Sequence, residues 1–372
     1  MNDELKTPQQ PRRILVSKLR QIGDAVLWTS ALEALRTAFP TATIEALTPG
    51  YGPALLAHHP AIDKFHVVED GRLGLLKTLW KLRSERFDYF LGFHASNSLC
   101  RFAFLIRAKE RILHHHSLPY SPALNTQVVP FAGQLEHVIF RDHRILEAMG
   151  IRTTPPVPKL YVTENEKAKA RTSLGARRVQ NLEGMKILLA GARVSTRRYP
   201  EDLWKQFATE LRQRSPHQTI LVVADPDQAK NWNLATFCVE EGLTLLSDLS
   251  LQDLLAVIAV CEIAIGNDSG LIHAASALGL KTLSIFGAGC FEDFKPAAVP
   301  HSHPEKNRAL RIHVDCRAQG PRDRETFQYC TLLECSHHTC MRAITPQVIL
   351  DETSSLLQGD ETYLPPKPGS GP

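Results

Sequence analysis

The sequence predicts an α/β protein made of two doubly wound parallel-sheet domains. Short β-forming runs alternate with amphipathic helical stripes, the pattern of βαβ units whose crossovers cover both faces of a parallel sheet. The alternation runs twice, and the pattern blurs from about residue 115 to 182, a stretch that includes the extended segment TTPPVPK at 153–159. The length of 372 residues, at roughly 150 residues per domain, gives about two domains.

The first series opens with the strand candidate RILVSKL (13–19). A helical stripe follows at 24–38, with Leu27, Ala31, Ala34, Leu35 and Ala38 on one face, stopped by Phe39-Pro40. ATIEALT (42–48), FHVVE (65–69), YFLGF (89–93) and RILHH (111–115) are further strands with helical segments between them. A helix at 134–149 ends at Gly150. The second series has strands at 185–192, 219–225, 243–247, 262–268 and 281–287, with helices at 201–213, 228–241, 250–260 and 269–279. The expected organisation is a disordered tail at 1–11, an N-terminal domain at 12–160, a linker region at 161–184 and a C-terminal domain at 185–345. A helix at 346–360 is expected to pack back on the N-terminal domain, and 361–372 forms a second tail. The two halves are expected to face a central cleft at the C-terminal ends of their strands, where open α/β sheets bind ligands.

Hydrophobic residues at 43% and charged residues at 22% are ordinary for a globular protein and exclude a disordered chain, a collagen-like repeat or a disulfide miniprotein. The 43 Lys and Arg against 39 Asp and Glu give a net charge of +4. Without a concentrated basic face this does not make a nucleic-acid binder. It suits an anionic substrate or an anionic membrane surface. No stretch reaches the ~18 apolar residues of a membrane span, and the polar start MNDELKTPQQPRR is not a signal peptide. A cytoplasmic location with reduced thiols is therefore expected.

Three segments at strand ends carry chemistry. The first is Lys18-Leu19-Arg20-Gln21-Ile22-Gly23-Asp24. Gly23 allows a tight turn and close approach of a substrate. Asp24 is either the helix N-cap or a general base at the sheet mouth, and Lys18 and Arg20 bring positive charge beside it. The second is Ile265-Gly266-Asn267-Asp268-Ser269-Gly270-Leu271-Ile272-His273. Ser269 and Gly270 leave helix N-terminal amides open to a diphosphate, and His273 on the first turn can face the same anion. Asp268 is unexpected there on charge alone, and caps the helix or holds the loop. The third is Gly191–Pro200, where Arg193, Arg197 and Arg198 attract phosphate oxygens.

Other signals are weaker. Asp225-Pro226-Asp227 reads as a turn after a strand before it reads as a metal-binding D-x-D motif. Gly287-Ala288-Gly289 lacks the third glycine of a dinucleotide fingerprint. His114-His115-His116 has no nearby ligand partners and reads as an exposed strand end. Cys100, Cys238 and Cys261 sit singly in apolar segments as small buried hydrophobes. Cys316, Cys330, Cys335 and Cys340, with His337 and His338, offer thiolate and imidazole ligands but no C-x2-C pair. Metal binding, a redox pair and simple packing all stay open for them.

These segments together resemble glycosyltransferase family 9, the ADP-heptose:lipopolysaccharide heptosyltransferases. The resemblance rests on ILVSKLRQIGDAVLWTSALEALRTAFP, on HVIFRDHRILEAMGI, on CMRAITPQVIL, and above all on the run IGNDSGLIHAASALGLKTLSIFG. It implies the GT-B architecture, two Rossmann-like domains, and an inverting, metal-independent transferase with no cofactor. By the resemblance, Asp24 is the catalytic base, and Arg197, Asp268, Ser269, Gly270 and His273 hold the donor diphosphate. Lys18, Arg20, Gly23, Arg193 and Asp227 are donor or acceptor contacts. The implied partners are a nucleotide sugar, ADP-heptose foremost, and a lipid-linked glycan acceptor, with peripheral contact at the cytoplasmic face of the inner membrane. Two departures stand out. Arg197 replaces the family's lysine, keeping the charge but not the geometry. The family's Gly-Gly-x-x-Glu turn is Ala224-Asp225-Pro226-Asp227-Gln228 here, with Asp227 the nearest carboxylate that could have taken over. A nucleotide-sugar epimerase on the same fold, or a transferase using another donor, are the alternatives.

Overall fold

The computed structural model describes residues 11–68, 71–94, 96–115, 126–130, 136–296, 305–312, 314 and 335–359. The chain divides after Tyr161 into two compact units.

The first unit holds β1 (Arg13–Ser17), α1 (Ile22–Ala38), β2 (Thr43–Thr48), α2 (Gly52–Leu55), β3 (Lys64–Val67) and α3 (Gly71–Arg83). It continues with β4 (Tyr89–Gly92), α4 (Asn97–Ile106), β5 (Glu110–His115), β6 (Gln127–Pro130) and α5 (Val138–Ala148). The strands form one parallel sheet in the order β3-β2-β1-β4-β5-β6. Ile14 stands between Ile44 of β2 and Tyr89 of β4. Because the chain winds from β1 toward β3 and then crosses to β4, the order reverses between β1 and β4. The residues just after Ser17 and Gly92 therefore lie at the switch point, where loops diverge and leave room for a ligand. On one face, Leu15, Leu47, Phe90 and Leu113 meet Leu79 and Leu82 of α3 and Phe102 and Ile106 of α4.

The second unit begins with α6 (Glu164–Ala176) and β7 (Lys186–Leu189), followed by a 3-10 turn (Ser195–Arg197), α7 (Glu201–Arg214), β8 (Ile220–Val223), α8 (Pro226–Asn231), α9 (Leu234–Glu240) and β9 (Thr244–Leu246). Then come α10 (Leu251–Ile258), β10 (Ile263–Asn267), α11 (Gly270–Ala277), β11 (Lys281–Ile285), α12 (Phe291–Phe294), β12 (Asn307–Leu310), α13 (Thr339–Arg342) and α14 (Pro346–Gln358). Its parallel sheet repeats the same winding, β12-β11-β10-β7-β8-β9, with the reversal between β7 and β10.

Every strand expected from the sequence forms, and the structure adds β6 and β12. Both are edge strands of four residues, too short for a readable alternation, and Pro130 is tolerated because it closes an edge strand. The single helix expected at 228–241 is split into α8 and α9, with Asn233 between them at φ +46°.

Two expectations change. Residues 161–184 are not a linker, because Ala170 and Leu174 of α6 enter the second unit's core beside Met185, Ile187 and Leu189. A capping box between Thr163 and Glu166 starts that helix. The terminal helix α14 belongs to the second unit. Ile349, Leu350 and Leu356 join the second unit's core, and Asp351 and Glu352 pair with Arg214 and Arg308, each at 3.2 Å. The His-rich strand end is not fully exposed either, since His114 is buried. Among the described residues no helix is long and apolar enough to cross a membrane. Cys316 and Cys330 lie outside the described residues, while Cys335 and Cys340 are free thiols.

Candidate active site

At the first switch point, β1 runs into α1 through Lys18–Gln21. Gln21 is the N-cap position and makes no side-chain cap. Gly23 and Asp24 lie in the first turn of the helix, so the tight-turn role for Gly23 is not needed: it has ordinary helical backbone. Asp24 is half-buried and makes no hydrogen bond or ion pair among the described residues. It does not cap the helix that contains it. It is close enough to act electrostatically on two groups. The Tyr51 phenol is raised by burial and then by the Asp24 charge, and its hydroxyl donates to the Arg20 carbonyl at 2.5 Å.

Lys18 does not offer its ammonium to a ligand. It is buried, and Nζ donates to both Asp142 oxygens, at 2.7 and 2.8 Å. Asp142, on α5, is pushed up to about 6 by burial, which outweighs the attraction of Lys18, with Asp24 adding to the rise. Two buried histidines lie near Lys18. His94, two residues past β4, accepts from the Leu19 amide at 3.3 Å. Burial, then the charges of Lys18 and Arg20, lower it to about 3. His114, at the end of β5, is lowered to about 3 by burial and then by Lys18 and Arg141. Both rings are neutral near pH 7. Arg20 is exposed and is the open cation of this loop.

At the second switch point, three loops are tied together. The Asn267 amide donates to the Ala190 carbonyl at 2.8 Å, and its oxygen accepts from the Tyr199 amide at 2.9 Å. Gln228 donates to the same Ala190 oxygen at 3.0 Å. Gly266 permits this approach, since a Cβ there would lie 2.6 Å from the Leu189 carbonyl oxygen. Beyond Asn267 the Asp268 carboxylate is 4% exposed. It accepts from Arg197 Nη1 at 3.2 Å and lies 3.7 Å from His273 Nε2. Asp268 is therefore the post that orients Arg197, with His273 standing beside it, which explains an acid beside an anion site. Ser269 is the N-cap position of α11 but makes no cap, and its hydroxyl is buried with no partner among the described residues. The helix start, with its unsatisfied amides, is open to an anion.

Arg197, Asp268, Ser269, Gly270 and His273 are thus brought together. Arg193 is exposed and makes no hydrogen bond or ion pair among the described residues, and Arg198 turns back to the Ala192 carbonyl at 2.6 Å. Asp227 is exposed on the first turn of α8, while Asp225 caps that helix by accepting from the Gln228 amide at 2.9 Å. The carboxylate of the family turn has therefore not moved to a buried position at Asp227, and the buried side chain in that turn is the neutral Gln228. Sequence reasoning missed Asn267, Tyr199, Gln228, Asp142 and His94. An Asn directly before the acid at a strand end was the readable signal for the first. The others come from distant segments and leave no local mark.

Two tandem domains of this winding, each with polar groups at its switch point, are the GT-B architecture of glycosyltransferases. The chain belongs to glycosyltransferase family 9 (heptosyltransferase), whose profile matches residues 76–312, and is a glycosyltransferase. It is 24% identical over 365 residues to Lipopolysaccharide heptosyltransferase 2 of Salmonella typhimurium, spanning 93% of this chain and 98% of the relative. The solved glycosyl transferase family 9 protein of Veillonella parvula superposes with a TM-score of 0.78 at 17% identity, covering 95% of this chain and 99% of that one. The solved E. coli ADP-heptose lps heptosyltransferase II superposes with a TM-score of 0.73 at 22% identity, covering 94% and 99%.

Proposed function

We propose that this protein transfers a heptose from ADP-heptose to a lipopolysaccharide-core acceptor by direct displacement with inversion, acting from the cytoplasm. The half-buried carboxylate of Asp24, which has no hydrogen-bond or ion-pair partner among the described residues, carries this reading. The chemically similar Asp268 at the second switch point is engaged by Arg197, whereas Asp24 is left available among the described residues. Asp24 accepts the proton of an acceptor hydroxyl as that oxygen forms its bond to the anomeric carbon. The bond from the anomeric carbon to the diphosphate breaks, and ADP leaves with the electron pair. Arg197, His273, the Ser269 hydroxyl and the first amides of α11 receive the leaving charge as fixed donors, so the donor set calls for no metal. The choice of donor and acceptor follows the relatives: the E. coli protein is an ADP-heptose heptosyltransferase, and the Salmonella protein is a lipopolysaccharide heptosyltransferase.

The test is Asp24→Asn. Transfer should fall by roughly 10²–10⁴-fold, the usual worth of a general base, while calorimetric ADP binding stays as in the wild type. Full activity in the variant, or loss of ADP binding in parallel, would overturn the base assignment. A thermal-shift comparison of ADP-, UDP-, GDP- and CMP-sugars tests the donor, and transfer unaffected by a chelator tests metal independence.

A further inference from the structure

Helices α3 and α4 lie side by side on one face of the first sheet, with Leu79, Leu82, Leu99, Phe102 and Ile106 turned into a shared core. Their outer faces carry large apolar side chains in the open. Trp80 is 79% exposed, Leu76 53%, Phe104 46% and Leu105 38%. Leu76 and Trp80 are one helical turn apart on α3. Between and around them stand exposed cations: Lys77, Lys81 and Arg83 on α3, Arg101 on α4 and Arg107 at its end. Neither helix contains an acidic residue. From 71 to 111 the sequence has nine Lys and Arg against three Asp and Glu, an excess of six, when the whole chain has an excess of four. The two helices that expose Trp80 thus lie in a segment of the chain rich in positive charge.

We infer that the α3–α4 face is a docking surface for an anionic lipid bilayer, with Trp80, Leu76, Phe104 and Leu105 entering the headgroup region and the surrounding Lys and Arg meeting lipid phosphates. An exposed tryptophan and aliphatic side chains in a basic rim are the composition of an interfacial helix. Basic clusters near an anionic leaflet add attraction that salt screens. The charge argues against a second copy of the chain as the occupant, since a symmetric pairing would set one basic face against another. Docking of this face does not depend on the transfer reaction.

The experiment is co-sedimentation of the full chain with vesicles of phosphatidylglycerol and phosphatidylethanolamine, compared with phosphatidylcholine alone, without donor or acceptor. Trp28 and Trp204 are buried and Trp232 is half-buried, so fluorescence reports chiefly on Trp80. Binding to the anionic vesicles, weakened by salt and accompanied by a blue shift, is expected. Trp80→Ala should weaken binding by about tenfold or more and abolish the shift, with an unchanged melting temperature as the folding control. Lys81→Glu with Arg83→Glu should remove the preference for anionic lipid. The inference is overturned by absence of sedimentation, by binding untouched in both variants, or by light scattering that shows a dimer which Trp80→Ala converts to monomer. Failure here leaves transfer to a water-soluble acceptor measurable, so it is separable from failure of the transferase reading.

Discussion

Arg197 Nη1 reaches Asp268 Oδ2 at 3.2 Å, and the two partners differ in burial: Asp268 is almost fully enclosed, while Arg197 keeps about a third of its side chain exposed. A buried carboxylate needs a partner, and one edge of a guanidinium suffices for it. The other edge stays available to a second anion. Gly289, at φ +122°, lies against this guanidinium, and a Cβ there would stand 3.3 Å from it. One arginine is thus shared between a structural acid and the open site.

Arg197→Ala should therefore do two separable things. It should raise KM for the donor, and it should lower the stability of the second unit by roughly 1–3 kcal/mol, because Asp268 loses a charged partner. Arg197→Ala combined with Asp268→Asn should regain most of the stability but not the donor affinity. Urea unfolding of each variant beside donor titrations checks both halves, and equal recovery of affinity would show that Arg197 acts only on Asp268.

How much of this was legible in the sequence depends on distance along the chain. Both windings were readable because buried parallel strands leave continuous apolar runs, as in Ile14–Val16 and Ile263–Ile265. The loops at the strand ends were readable because Gly-Asp and Asn-Asp-Ser-Gly are local. Lys18 shows the limit. Its pairing partner lies 124 residues away on α5, so in the sequence a buried structural cation looks like a ligand contact. Asp24 shows the converse: its type and position suggest capping, and only the absence of a cap bond among the described residues separates the two readings.

Gly266→Ala should be among the most damaging single-carbon changes in the second unit. The added methyl would fall 2.6 Å from both Cβ and the carbonyl oxygen of Leu189, and backbone cannot swing aside as a side chain can. An overpacking cost of about 1–3 kcal/mol is expected. The strain would pry β10 from β7 and shift Asn267, so donor binding should fall with stability. Leu189→Ala in the same background keeps both the Cβ and the carbonyl oxygen that the methyl meets, and so should restore none of the melting temperature.

Acid should open the first unit before the second. Burial lowers His59 and His143 to about 4 and His94 and His114 to about 3, and all four belong to the first unit. Lys159 adds to the effect at His59 and Lys18 at His94 and His114, while a hydrogen bond with Ser30 opposes it at His143. Unfolded histidine titrates near 6.5, so below that pH the unfolded unit binds protons that the folded one refuses. Their stabilising contribution is full above about 6.5 and is lost as pH falls toward 4 and 3. Hydrogen exchange at stepped pH should show amides of residues 12–161 losing protection at higher pH than those of 162–358. Simultaneous loss would show that these histidines do not limit the first unit.

The Lys18–Asp142 pair should act on pH in the opposite sense. Removing one partner leaves a charge in a site with almost no water, so Asp142→Ala should cost the first unit about 3–5 kcal/mol. Lys18→Met with Asp142→Leu should cost far less, since neither charge then remains. Asp142 also titrates differently when folded, because burial raises it to about 6 despite Lys18. Between the unfolded value near 4 and this raised value, the folded unit binds the extra proton. Its contribution is therefore full below about pH 4 and is lost as pH rises through 6. Asp142→Asn cannot titrate, and it keeps the four histidines that burial lowers. The stability difference between wild type and Asp142→Asn, followed by exchange of the β1 amides, should fall from pH 4 to 6 and then stay level. A flat difference across that window would mean that Asp142 stays ionised throughout, held by Lys18 against the cost of burial.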